Sequence, residues 1–215
     1  AVGDDDEASS IMSSLKSKDI GLGNIIQVEG RSTLTKIRFF ASRESLLDRR
    51  QILLQADRGP KETLDETVSK SLTDSALSNI PDSCALVISD YDKGVVTTEG
   101  AQSLIERAKI SGIPAIVDPK LTGLEKSRGA TVVIFEKRGI ALLARRMGLD
   151  DEDAARRLLD EYSWQGILVL GGIHGMYLHQ RDHDSSFMPC MAPTAEQQIG
   201  MHDAAATSLA AALGS

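Results

Sequence analysis

The chain has 215 residues, enough for one domain, or a domain with a small appendage, built round a sizeable core. Apolar residues make up 41% and charged residues 26%, which excludes wholesale disorder. A net charge of -7 repels phosphate backbones and anionic lipid, so neither a nucleic acid nor a membrane is an expected partner.

No apolar run reaches the roughly 20 residues that cross a bilayer. The acidic start AVGDDDEASS has no basic region followed by an apolar stretch, so it does not read as a signal peptide. Cys84 and Cys190 form neither a disulfide framework nor a metal motif. Both sit in apolar or strand-like contexts, which suits reduced thiols in a cytoplasmic protein.

Residues 4–18 read as an amphipathic helix, with Ile11, Met12 and Leu15 at helical spacing and acids at its start. Strand-like pieces follow at 24–28, 32–41 and 51–56. Little helix separates them, which predicts an antiparallel flap over 24–57. From about residue 60 the pattern becomes that of an α/β core. Helices are expected at 62–78, 100–111, 121–126, 138–147, 151–162 and 203–213. Strands are expected at 85–89, 114–117, 131–135 and 166–170, then a hairpin through 176–179 and 186–188. The run ALVIS at 85–89 reads as a strand buried on both faces. This alternation predicts a parallel sheet, with ligands beyond the carboxyl ends of its strands. The whole of 1–215 is expected to form a single domain.

Five stretches near expected strand ends can carry chemistry. In SDYDKG, Asp90 and Lys93 can face a ligand, or the stretch is an ordinary polar turn. In VDPK, Asp118 before a proline builds turns, and Lys120 can pair with a phosphate. GGIHG, with Gly172 and Gly175, allows close backbone approach to phosphate or makes a plain tight turn. In IGMHDAAATS, Gly200 opens a helix whose free N–H groups suit an anion. Asp203 either takes a proton from a substrate hydroxyl or caps that helix. In STLTKIR, alternation puts Lys36 and Arg38 on one strand face, suiting a phosphorylated ligand or a solvated edge. The four histidines, His174, His179, His183 and His202, fit no zinc spacing, so no metal site is expected from them. Trp164 and Met147 read as core.

Taken in order, TLTKIR at 33–38, ALVISDYDKG at 85–94, GIPAIVDPK at 112–120, RGATVV at 128–133, GILVLGGIHGMYL at 166–178, MP at 188–189 and GMHDAAATS at 200–208 resemble the PfkB/ribokinase family of sugar kinases. SDYxKG followed by VDPK resembles its heptose 7-phosphate kinase branch. The resemblance implies a ribokinase-like fold: a Rossmann-type parallel sheet flanked by helices, with a small β lid. It also implies that the fold is incomplete at both ends, family members having segments before and after the part matched. ATP with magnesium and a sugar phosphate are the implied ligands. The implied assembly is a homodimer through the lid strands, or a partner that completes the sheet.

Carried over by motif, Asp203 matches the family's base and Gly200 the first glycine of its anion hole. Gly172 and Gly175 match the nucleotide-side loop, and Asp118 and Lys120 fall on the cofactor side of the branch signature. Lys36 and Arg38 match the lid strand near the sugar phosphate, joined there by Asp90 and Lys93. The family's Gly-Ala-Gly-Asp reads Gly200-Met201-His202-Asp203, so a ring stands where a second glycine is usual. The upstream Asp and Thr are Gln197 and Ile199, and the nucleotide-loop Thr is Leu170. The family's Asn-x-x-Glu falls at Glu136 and Gly139, without the final carboxylate. Two functions follow as expectations: an ATP-dependent sugar kinase using Asp203, or a kinase-derived sugar-phosphate-binding or assembly module without catalysis.

Overall fold

The computed structural model describes residues 1–41, 51–60, 62–191 and 199–215. Positions 42–50 of the expected flap, and Gln197, lie outside the described residues. The chain divides into two compact units, Ala1–Val68 and Ser69–Ser215.

In the first unit, helix α1 spans Asp6–Lys16. Asp5 caps it by accepting from the Ala8 amide, and Asp6 and Glu7 sit in the first turn where the macrodipole favours them. Strands β1 (Thr35–Ala41) and β2 (Gln51–Arg58) pair antiparallel. The third strand expected at 24–28 is reduced to one bridge between Val2 and Gln27. Those residues pair with the start of the chain instead of with β1: Val28 N donates to Val2 O at 2.9 Å. Nor does β1 begin at Ser32, because Thr33 is held by Asp5 through its amide at 2.7 Å and its hydroxyl at 2.6 Å. Pairing across the ribbon puts Lys36 opposite Asp57 and Arg38 opposite Gln55. Ile37 and Phe39 point the other way, opposite Ala56 and Leu54.

Helix α2 (Glu66–Asn79) runs across the boundary between the units. It starts four residues later than its pattern suggests, since Asp65 accepts from the Thr67 amide at 2.8 Å. The second unit then carries β3 (Leu86–Ser89), α3 (Thr98–Ile110), β4 (Ala115–Asp118), β5 (Val132–Glu136), α4 (Lys137–Met147), α5 (Asp151–Glu161), β6 (Gly166–Leu170), β7 (Met176–Gln180), β8 (Ser186–Met188) and α6 (Met201–Leu213). The short helix expected at 121–126 is a 3-10 turn at Leu124–Ser127. Asp150 caps α5 through the Asp153 amide, as the acidic patch at 150–153 suggests.

The sheet order is β3-β4-β5-β6-β7-β8. The first four strands are mutually parallel, and β7 and β8 fold back as an antiparallel hairpin. Alternate residues feed two cores. Ile88, Val117, Val133, Phe135, Ile167 and Val169 pack with α3, α4 and α5 round Trp164, which is fully buried. Ile116, Val132, Ile134, Leu168 and Leu170 meet α6 on the opposite face, where Ala206 and Ala210 allow close approach. Only Ile88 of β3 is buried, and Val87 is 41% exposed. The continuous apolar run at 85–89 is therefore an edge strand and not one buried on both faces.

Candidate active site

Because β3, β4 and β5 run the same way, their carboxyl ends share one edge. Ser89 and Asp118 are register partners at the ends of β3 and β4, and Glu136 ends β5. Helix α6 begins at the same edge. Its N-cap is Gly200 in the left-handed region (φ 82°, ψ 3°), with no side-chain cap. Asp203 thus lies inside the first turn and does not cap the helix. Its exposed carboxylate instead accepts from Ser89 Oγ at 3.4 Å.

His202, one residue earlier, turns into the strand ends. Its Nδ1 lies 3.1 Å from Asp118 Oδ2, and its Nε2 lies 3.4 Å from Glu136 Oε1. The second approach lacks hydrogen-bond geometry, so Nε2 is a buried polar atom without a hydrogen-bond partner among the described residues. The hydrogen bond to Asp118 pushes the imidazole pKa up from its usual value. Burial opposes this, the charges of Asp118 and Glu136 support it, and Lys120 opposes it. When protonated, the ring stands between two carboxylates at the ends of neighbouring strands.

Lys120 is exposed, with Nζ 4.9 Å from the centre of the Tyr91 ring. Tyr91 belongs to the loop after β3, as does the exposed Lys93. Asp90 in that loop is buried: its Oδ2 accepts from Lys126 Nζ at 2.7 Å and its Oδ1 accepts from the Asp92 amide at 2.9 Å. Its carboxylate ties the loop to Lys126 and to its own backbone. Lys126 and Asp90 are 12% and 3% exposed at their side chains, so the pair is desolvated. Changing Lys126 to Ala should leave the carboxylate buried and uncompensated, costing about 3–5 kcal/mol in urea unfolding. A loss below about 1 kcal/mol would show that Asp90 does not depend on this partner.

The glycines divide by the space around them. Gly172 (φ 60°) and Gly200 (φ 82°) need left-handed backbone, and a Cβ at either would meet nothing within 4 Å. Gly175 is packed instead: a Cβ there would stand 2.3 Å from Met188 O. The hairpin accounts for that glycine without a nucleotide. Gly172 follows β6, at the same edge as Asp203. Lys36 and Arg38 belong to the first unit, where Arg38 Nε donates to Gln55 Oε1 at 3.1 Å.

The open glycine backbone and the uncapped first turn of α6 suit an anionic polyphosphate. No dedicated magnesium site is built among the described residues. Among the described residues no three His, Cys, Asp or Glu side chains gather for a metal ion, and Asp118 and Glu136 are turned to His202. Also among the described residues, no helix is long and apolar enough to cross a membrane. Cys84 and Cys190 are exposed.

Ser89, Tyr91, Glu136 and Lys126 are the participants that sequence reasoning did not assign. Ser89 had a signal, as the last residue of a strand beside the Asp118 strand end. Lys126 had none, because its partner is 36 positions away.

A parallel sheet with these carboxyl-end groups defines a class of proteins, and solved structures agree with it. A putative ribokinase from Agrobacterium tumefaciens superposes with a TM-score of 0.71 at 19% identity, over 100% of this chain and 65% of that one. The ribokinase of Arabidopsis thaliana, solved with ribose and ATP, gives 0.71 at 13%, over 99% and 67%. Phosphofructokinase-2 from Escherichia coli with fructose-6-phosphate gives 0.69 at 19%, over 98% and 68%. The fold is that of the ribokinase-like sugar kinases.

Sequence relatives narrow this. The bifunctional protein HldE of Paramagnetospirillum magneticum is 34% identical over 89% of this chain, and that of Koribacter versatilis is 30% identical over 99%. The chain spans 38% and 43% of the lengths of those two relatives. No family model matches the chain. Sugar-kinase folds on one side and these relatives on the other fit a heptose-kinase-like chain of PfkB type.

Proposed function

We propose that the chain transfers the γ-phosphoryl group of ATP to a hydroxyl of a sugar phosphate of the D-glycero-β-D-manno-heptose 7-phosphate type. The observation that carries this reading is the exposed Asp203 carboxylate, in the first turn of an uncapped helix, at the carboxyl edge of a parallel sheet. ATP supplies the phosphoryl group. Gly172, Gly200 and the first-turn amides of α6 offer its phosphates open backbone, and Lys120 offers a point charge. Asp203 takes the proton of the acceptor hydroxyl as its oxygen bonds to phosphorus and the bond to the ADP oxygen breaks. Magnesium, on this reading, enters on the nucleotide. Lys93, and Lys36 with Arg38 on the polar face of the ribbon, are proposed for the sugar phosphate on the strength of the resemblance. The test is ADP formation from Mg-ATP with and without heptose 7-phosphate. Sugar-dependent ADP release is expected, and none at any substrate concentration rejects catalysis.

A second reading is favoured by one observation. The His202 ring fills space at the start of α6, which suits a kinase-derived sugar-phosphate-binding module that no longer turns over. Heptose 7-phosphate binding without ADP formation would select it.

A second copy of the chain is the partner proposed for the ribbon. Ile37, Phe39 and Leu54 are exposed on its apolar face at 38, 51 and 58%. Light scattering should give a dimer, and Phe39→Asp should convert it to a monomer. A monomeric parent chain rejects this assembly.

A further inference from the structure

Helices α3, α5 and α6 run back against the parallel strands, so their carboxyl ends gather at the sheet edge opposite the candidate active site. A cleft of about 460 Å³ opens there, beside the starts of β4 and β5. That volume falls within the range of small-molecule sites. Its walls come from stretches 105–115, 129–131 and 163–165 and from Leu213, all within the second unit. Their meeting is therefore a property of the fold and not of a local turn.

Backbone fixes the floor. The Thr131 amide donates to Ala115 O at 2.8 Å, and the Ala115 amide donates to Thr131 Oγ1 at 2.9 Å. Gly112 (φ 71°) and Gly129 (φ 80°) make the turns that lead into the two strands, and a Cβ at Gly112 would meet nothing within 4 Å. Ile105, Ile113, Pro114 and Leu213 supply an apolar wall. Leu213, at the end of α6, is left 46% exposed.

The polar lining has one sign. Lys109 is the one charged residue that lines the cleft, and no Asp or Glu does. It stands one turn after Ile105 on α3, so its stem runs along the apolar wall and its ammonium reaches the rim. Among the described residues no carboxylate lies within ion-pair distance of that ammonium, and the Ser163 and Gln165 side chains have no hydrogen-bond partner. In a chain of net charge -7, a cleft with a cation and no acid stands apart from the general field.

We propose that this cleft binds a small monoanion, a carboxylate carried on a compact apolar body. The carboxylate pairs with Lys109, and the Ser163 hydroxyl and Gln165 amide are free to donate to it. The apolar body covers Ile105, Ile113 and Leu213, taking their surface from water. A phosphate monoester, with nearly two negative charges, exceeds what one ammonium neutralises. The cleft shares no residue with the candidate active site, so the inference does not rest on phosphoryl transfer.

The test is a titration of the 15N-labelled chain with hexanoate, followed by 1H–15N spectra. Saturable shifts are expected at the amides of Gly112, Gly129, Thr131 and Gln165, with Gly172 and Asp203 unmoved at the far edge. Hexanamide, which keeps the apolar body and loses the charge, should bind about tenfold more weakly. Lys109→Met, which keeps an apolar stem at an exposed position, should weaken hexanoate about tenfold and leave hexanamide unchanged. Shifts that do not saturate, or that spread over the surface, overturn the site. Equal affinity for hexanoate in the parent chain and in Lys109→Met overturns the role of the ammonium, and tighter binding of hexyl phosphate than of hexanoate overturns the carboxylate assignment.

Discussion

Asp203→Asn should lower the turnover of ATP with heptose 7-phosphate by about a hundred- to ten-thousand-fold, the range a general base supplies. Asn keeps the shape of the side chain and can still accept from Ser89. It cannot take the proton. Nucleotide affinity should stay within a few-fold, because the first-turn amides of α6 are unaltered. Stability should change little: an acid at an exposed first-turn position contributes about 0.3–1 kcal/mol through the macrodipole. A split between kcat and binding is therefore the signature of the proposed role. Parental kcat in Asp203→Asn would remove Asp203 as the base, and equal losses in binding and turnover would make it a structural acid.

The parallel sheet was legible because its strands are short apolar runs set between helices of ordinary length. β6 matches its expected bounds of 166–170, and the hairpin follows where expected. The failures have physical causes. The run at 85–89 has the composition of a central strand but lies at an edge, and composition does not record which neighbours a strand has. The strand expected at 24–28 is reduced to one bridge to Val2, and pairing partners are not written in periodicity. At the candidate site, strand-end position drew attention to Asp118, Lys120 and Asp203, whose roles stay proposals. It did not show the ion pair of Asp90, because only a three-dimensional structure brings Lys126 onto that carboxylate. It also left Asp203 open between cap and base. The left-handed Gly200 settles the cap question by taking the N-cap position itself.

His202 should make nucleotide binding depend on pH. Its ring is held between Asp118 and Glu136, and its pKa is raised chiefly by the hydrogen bond to Asp118. While protonated, it neutralises part of the negative charge that Asp118 and Glu136 present at the start of α6. When it loses its proton, a polyphosphate approaching that turn meets two carboxylates and a neutral ring. Mg-ATP affinity should therefore weaken about tenfold more in the parent chain than in His202→Ala between about pH 6 and pH 9. The nucleotide's own titration is common to both chains and cancels in the comparison. Stability gives an independent reading of the same bridge. A pKa raised in the folded state contributes stability that is complete below the unfolded histidine value, about 6.5, and is lost as pH rises through the folded value. His202→Ala should thus cost about 1–2 kcal/mol near pH 6 in urea unfolding, and this charge-dependent part of the loss should fade at high pH. Parallel pH profiles for binding in the two chains would show that the ring does not bear on the nucleotide. A stability difference that grew with pH would mean that the neutral ring, and not the imidazolium, is what Asp118 holds.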